Sequence, residues 1–437
     1  MMDVLIIDRF RAIYLRCLAG KNPTHAAKDV ITMGTRVLVV SHMYPNQVNP
    51  MAGIFVHNQT KALKQAGMDV RVVVPIPHFP LYRKWRGYRQ LPARTELDGI
   101  PVYYVPTRMF PGGFFFSQYG NLYVNALRKV LPSIYEEFPF ELIHCHTIYP
   151  DGYAGSLLKQ AFGVPVVSTV HGSDVMLYPK RSRRVYERTE QALRGNDFVI
   201  TVSERARQEV IRMVPDAKVA TIYNGFDPSR FQPMEKGVAR KTLGLPLSGK
   251  QVLFVGNLYQ VKGIPYLLEA FGTIAAECEE VSLNLIGEGP LRAELERQVE
   301  QLGLQGRVTF LGRKPYEEIP VWINSADVVA LTSLSEGLPS ILLETMGCGR
   351  AMVATDVGGI REILQDGRTG LLAQSQDVDS ITRALRKILI EDESFIDTMG
   401  KQALEASRKL TWEQNAENTK AVYARVLEEK QSWDVNP

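Results

Sequence analysis

Cysteine is scarce. Cys17, Cys145, Cys278 and Cys348 are the four in 437 residues, and no two form a CxxC pair. A zinc knuckle and a disulfide framework are therefore not signalled, and the pattern fits reduced thiols in a cytosolic protein. Long apolar runs are also lacking; none approaches the roughly 20 residues needed to span a bilayer. Charge of one sign is nearly balanced, with a net of +4, which argues against a dedicated nucleic-acid binder. Neither of the two strand patterns that open an α/β unit, 36–41 and 252–256, is followed by a GxGxxG with an acid about 20 residues on. That absence counts against a Rossmann oxidoreductase using a dinucleotide.

What is present is a composition with 45% apolar residues, in a chain too long for one ordinary core. Two domains are expected, with boundaries at 34–225 and 251–410. The polar, broken stretch 226–250 reads as a linker, and 411–437 as a C-terminal helix and tail that could cross back to the first domain. Residues 1–33 read as an extension outside the fold. Their apolar start is interrupted by Asp8, Arg9, Arg11 and Arg16, so they lack the uninterrupted core of a signal peptide.

Between these limits β-branched runs alternate with helical patterns, the signature of an α/β fold with doubly wound parallel sheets. In the first half, strands are expected at 36–41, 68–74, 142–146, 164–170, 198–203 and 218–223. Gly53 stands at the start of the helical pattern 54–65, either as a turn glycine or as a place where a phosphate approaches the backbone. His171-Gly172-Ser173-Asp174 follows a strand, at the edge where open α/β sheets place ligands. His171 is therefore a better candidate than His144 or His146, which fit ordinary strand positions. His25, His42, His57 and His78 have no supporting context.

The second half repeats the plan from residue 252, with strands at 281–286, 307–311, 327–332 and 351–354. Its central stretch is Ser335-Glu336-Gly337-Leu338-Pro339-Ser340-Ile341-Leu342-Leu343-Glu344. Gly337 and Pro339 mark a turn into a helix whose free N–H groups and partial positive charge suit a diphosphate. Glu336 sits in the loop and Glu344 about two turns into the helix. The plainer alternative is a capping Glu336 and a solvated Glu344.

Two stretches interleave basic and aromatic residues. One, 77–90, holds Phe79, Leu81, Tyr82, Arg83, Lys84, Trp85, Arg86, Tyr88 and Arg89. The other holds Phe110, Phe114, Phe115, Phe116 and Tyr119 beside Gly112 and Gly113. They read as a membrane-interface patch, a mobile acceptor-site loop or rings that pack locally.

Taken together, several motifs resemble the retaining GT-B glycosyltransferases of family 4. The matching pieces are Phe254-Val255-Gly256 with Lys262-Gly263, Ile286-Gly287-Glu288-Gly289-Pro290-Leu291, Glu336-Gly337 through Leu343-Glu344, Thr355-Asp356-Val357-Gly358-Gly359, and Asp366-Gly367 with Gly370. In the first half they are His171-Gly172-Ser173-Asp174, Val202-Ser203 and Asn224-Gly225-Phe226-Asp227. Glu336 and Glu344 match the family's paired glutamates, with seven residues between them.

The resemblance implies a GT-B fold, two Rossmann-like domains facing across a cleft that binds a nucleotide sugar, by habit a UDP-sugar. By the same analogy Lys262 meets the diphosphate, helped by the backbone of Gly337 and Leu338 and by Gly53 from the first domain. Glu344 takes the ribose hydroxyls and Glu336 the sugar hydroxyls. His171 lies near the transferred sugar and Asp174 shapes the acceptor end. Asn257, Glu288 and Arg313 are further phosphate or sugar contacts, and no cofactor or metal is implied. The acceptor would be a growing cell-surface polysaccharide or a polyprenyl-linked glycan, on an enzyme that is cytoplasmic or peripheral on the inner membrane face. Two departures stand out. Asn257 occupies the place of the family's usual Arg, for which Arg313 or Arg361 could substitute, and Ala52-Gly53 replaces a glycine pair. Asn257 keeps open a noncatalytic sugar-nucleotide-binding subunit.

Overall fold

Alternation of buried side chains on a pleated strand explains how this chain builds its layers. In β1 (Arg36–Val40), Val37 and Val39 join one apolar cluster, while Leu38 and Val40 join another on the opposite face. A strand buried on both faces is what a parallel sheet between helices requires. The computed structural model describes residues 34–391 and 393–435, so the expectation for 1–33 lies outside the described residues. The chain forms two compact units, one of the residues up to Tyr223 with those from Trp412 onward, the other Asn224–Thr411.

The first unit continues with β2 (Asp69–His78), β3 (Arg94–Leu97), β4 (Ile100–Arg108), β5 (Leu142–His146), β6 (Val166–Val170), β7 (Phe198–Thr201) and β8 (Val219–Thr221). Their order is β3-β4-β2-β1-β5-β6-β7-β8, parallel except for β3 against β4. The strand direction of winding reverses between β1 and β5, and that is where open α/β sheets leave a crevice at their carboxyl ends. One face carries the helices Ile54–Gln65 and Trp412–Val435; the other carries Tyr119–Glu137 and Tyr153–Phe162. The hairpin β3–β4 is absent from the sequence expectations. Its turn is Asp98-Gly99, both at positive φ, the pair that favours a tight hairpin.

The second unit contains β9 (Lys250–Val255), β10 (Val281–Ile286), β11 (Val308–Gly312), β12 (Val328–Leu331), β13 (Ala351–Thr355) and β14 (Leu371–Ala373). All are parallel, in the order β11-β10-β9-β12-β13-β14, so the reversal lies between β9 and β12. The stretch expected as a linker is different in the structure. It carries the helix Lys236–Leu243, whose Arg240 is only 1% exposed. Arg240 donates to Asp327 at 2.6 Å and to the carbonyls of Ser325, Leu247 and Gly249. Lys236 reaches the same Asp327 at 2.6 Å. A polar composition looked like a tether because the carboxylate that buries these cations lies about 90 residues away in sequence.

Candidate functional site

In the second unit the loops after β9 and β12 meet at the reversal point. The Leu334 amide donates to the Val261 carbonyl at 2.7 Å, and the Thr332 hydroxyl donates to the Lys262 carbonyl. Gly263 makes the approach possible. Its φ is +60°, and a Cβ there would sit 2.1 Å from the Thr332 carbonyl oxygen. Lys262 Nζ then lies 2.5 Å from Glu336 Oε1, which also accepts from the Ser333 hydroxyl at 2.7 Å.

The helix expected after Gly337 runs Ser340–Gly347, with Pro339 as its N-terminal flank and no side chain capping it. Its first N–H groups therefore face the same corner as Gly337 and Leu338. Glu344 lies little more than one turn inside, closer than the two turns expected, and it is buried. Its carboxylate accepts from the Tyr316 hydroxyl at 2.8 Å. Burial lifts the Glu344 carboxyl to about 7, against the opposing pull of that hydroxyl and of Arg230. The solvated alternative for Glu344 does not hold.

The remaining second-unit candidates follow the carboxyl ends of neighbouring strands. Asn257 is exposed. Glu288 is held by Arg292, one helical turn on, at 2.5 Å. Of the two candidate replacement cations, Arg361 is engaged by Asp356 at 2.6 and 2.8 Å. Arg313 is exposed and forms no ion pair among the described residues. It follows β11, and the Gly287 amide donates to Gly312 at 2.9 Å. Two strand spacings separate it from the end of β9, roughly 10 Å along the same edge.

In the first unit His171 follows β6, and the structure gathers more around it than the sequence foretold. His171 Nε2 lies 3.0 Å from His146 Nδ1, with the rings stacked at 5.3 Å. Burial pushes His171 down to about 3 and His146 well below its usual value, so both are neutral rings sharing one N–H···N contact at pH 7. His146 Nε2 is buried and has no hydrogen-bond partner among the described residues. Behind them His144 bonds Thr169 at 2.7 Å and the Tyr423 hydroxyl at 2.6 Å. Phe55, two residues after Gly53, packs against His171 at 4.7 Å. Gly53 itself has φ +58°, and a Cβ would sit 2.2 Å from the Met43 carbonyl oxygen. That local contact alone demands glycine there.

Asp174 is 1% exposed and therefore does not present a carboxylate to an acceptor, which corrects the sequence expectation. Its oxygens accept from the backbone N–H of Ile148 at 2.9 Å and of His171 at 3.0 Å. Burial raises it to about 6, opposed by those N–H groups. It ties the loop after β5 to the loop after β6 and fixes where His171 stands. His42, without context in the sequence, is bonded to Asp151 at 2.5 Å through Nδ1. Burial works against its protonation, yet the charge and hydrogen bond of Asp151 together raise it. Asp151 is fully buried and also accepts from Thr147. His42 and Asp151 are 109 positions apart, and no short motif signals such a pair. Ser333, three residues before Glu336, is the one missed partner that local spacing could have suggested.

Two doubly wound α/β units, each with polar groups at its reversal point, define the class of two-domain Rossmann-like proteins. Residues 52–230 match Glycosyltransferase Family 4, and residues 235–406 match Glycosyl transferases group 1. A Bacillus subtilis (strain 168) protein named as a teichuronic acid biosynthesis glycosyltransferase, TuaC, is 30% identical over 75% of this chain and 82% of its own length. The fold is shared with sucrose-phosphate synthase from Thermosynechococcus elongatus, at TM-score 0.77 and 24% identity, over 90% of this chain and 100% of that one. It is also shared with Anabaena Alr3699/HepE, solved in complex with UDP and glucose, at TM-score 0.69 and 22% identity over 90% and 100%. The chain belongs to the family 4, group 1 glycosyltransferases of GT-B fold, and is a transferase of glycosyl groups, EC 2.4.

Proposed function

We propose that this enzyme transfers a hexose, with retention, from a UDP-sugar to a growing cell-envelope polysaccharide or a polyprenyl-linked glycan. The observation that carries the donor half is the uncapped start of helix Ser340–Gly347, with Lys262 beside it and Glu344 buried one turn inside. Lys262 leaves Glu336 to meet the diphosphate, whose charge grows as the glycosidic bond breaks. The Gly337 and Leu338 backbone and the helix N–H groups take the other phosphate oxygens. Glu336, freed, turns to the sugar hydroxyls, and Glu344 accepts from the ribose. Arg313, with no ion pair among the described residues, supplies the cation that Asn257 cannot. Neutral His171 binds the transferred sugar, and Asp174 holds it in place.

The choice of UDP is supported by the Anabaena relative's complex, and the polysaccharide acceptor by the name of the Bacillus relative. Attack from the face of the leaving group, with the departing phosphate as base, needs no protein nucleophile. The reading also needs no metal. It places the enzyme in the cytoplasm, peripheral to the membrane that carries its acceptor. No helix among the described residues is long and apolar enough to cross that membrane.

Thermal shift against a panel of sugar nucleotides tests the donor, since a ligand at 100 times its Kd adds about 2.7 kcal/mol. UDP release with a polyprenyl-linked acceptor, unchanged by EDTA, tests turnover. Binding without release would favour a noncatalytic subunit, and a loss of rate in EDTA would overturn the metal-free scheme.

A further inference from the structure

We propose that one face of the first unit is a docking surface for an anionic lipid bilayer, built from three segments that the sequence keeps apart. The inference rests on the membrane-bound acceptor proposed above and names the groups that make the contact. The first segment follows β2, and its Leu81 is 87% exposed. The second follows β4, where Phe114 and Phe115 are 72% and 66% exposed. Phe79 of the first packs on Phe110 of the second at 5.7 Å, and Phe110 on Phe115 at 5.2 Å. The third is Lys180-Arg181-Ser182-Arg183-Arg184, before the helix Arg183–Gly195 and partly within it. Arg181 lies over the Phe116 ring at 4.7 Å, and Tyr178 meets the same ring at 5.2 Å. Phe116 thus joins the third segment to the second.

Charge sets this face apart. No acid occurs from 70 to 95, from 99 to 135 or from 175 to 186. Arg83, Lys84, Arg86, Lys180 and Arg184 are exposed and form no ion pair among the described residues. Several surface arginines outside it are paired: Arg194, Arg212, Arg361, Arg386 and Arg425 each meet a carboxylate. Arg89 is an exception within the patch. It donates to the Phe79 and Pro80 carbonyls and so shapes the first segment instead of facing outward.

Unpaired cations alone would suit any polyanion. Three bulky apolar tips standing among them suit a surface that is anionic outside and apolar beneath. Aromatic and leucine side chains enter the headgroup boundary while Arg and Lys stay with the lipid phosphates. Phe115 is set at φ +57°, a left-handed backbone that turns the tip of the loop.

The test is co-sedimentation of the full chain with phosphatidylcholine vesicles, with and without phosphatidylglycerol. Wild type should sediment with the anionic vesicles only, and less in high salt, where exposed charges are screened. Phe114→Ser with Phe115→Ser should lower partitioning about tenfold or more. So should Arg83→Ser with Lys84→Ser and Arg86→Ser, and independently Lys180→Ser with Arg184→Ser. Wild-type partitioning in the aromatic variant, or in both charge variants, would overturn the proposal. So would a dimer on sizing columns that the aromatic variant abolishes, with no vesicle binding by wild type, since the face would then meet a second copy. The same preparations are scored for the thermal shift given by UDP. Vesicle binding without any UDP shift would sink the donor reading and leave the docking surface standing; a UDP shift without vesicle binding would do the reverse.

Discussion

Lys262 and Glu336 hold each other at 2.5 Å, so the diphosphate of the proposed donor would have to displace one ion pair to form another. The exchange favours the ligand because a diphosphate brings more charge and the helix start adds N–H groups to it. Removing the ammonium with Lys262→Ala should weaken the donor about 10- to 150-fold, the equivalent of one charged hydrogen bond at 1.5–3 kcal/mol. Isothermal titration with the UDP-sugar found by the panel reads this directly, and unchanged affinity would remove Lys262 from the site.

Glu344 makes a second prediction, through pH. Its folded-state value is raised to about 7 from 4.5, so its stabilising contribution is full below about 4.5 and lost as pH rises through 7. The deficit at pH 8 is on the order of 3 kcal/mol. Glu344→Gln keeps an oxygen for the Tyr316 hydroxyl and sheds the buried charge. The variant should melt several degrees higher than wild type at pH 8, match it near pH 4.5, and bind donor less well. Equal melting at both pH values would mean that the carboxyl is not held in its protonated form.

At the scale of elements, the loop after β9 depends on Gly263 more than its length suggests. A side chain there would combine a left-handed backbone with a Cβ 2.1 Å from the Thr332 carbonyl oxygen. Gly263→Ala should cost more than about 2 kcal/mol, from strain and the forced separation of the two loops. It should also weaken the donor, because Lys262 is the preceding residue. Loss of stability with full donor affinity would show that the two loops place Lys262 independently of their contact.

Most elements were legible because their signals are local. The helix Ile54–Gln65 begins after a glycine, and Ser203, at the end of the expected strand 198–203, caps the helix Glu204–Met213 by accepting from Ala206. Helix Lys236–Leu243 reads as a tether in sequence because the partner of its buried cation, Asp327, is remote. The cluster around His171 was half legible. The Gly and Asp that follow His171 marked the sheet edge, whereas His146 reads as an alternating strand residue until β5 and β6 are paired.

At the scale of the molecule, the last helix, Trp412–Val435, belongs with the first unit although 188 residues of the second stand between, from Asn224 to Thr411. Trp412, Ala416, Val422, Tyr423 and Val426 lie in the first unit's core. Gln59 donates to Asn415 at 2.7 Å, and Tyr423 bonds His144. Burial of five such side chains is worth on the order of 10 kcal/mol, comparable to the whole stability of a domain. Truncation after Thr411 should therefore unfold the first unit while the second keeps its shift with UDP. Hydrogen exchange resolved by segment reads both at once, and protection of β1 and β5 like that of the full chain would refute it.

Local order by itself settled the α/β class, the two-unit plan and the glycine and proline turns, because strand alternation, caps and turns need only a few neighbouring residues. Family motifs in sequence added the glutamate pair and Lys262. Only the tertiary structure decided that Glu344 is buried, that Arg361 is engaged while Arg313 is not, and that Asp174 pins two loops. It alone joined His42 to Asp151 and gathered three acid-free segments onto one face. Those facts depend on which distant strands become neighbours, and a single sequence carries that information in no local signal.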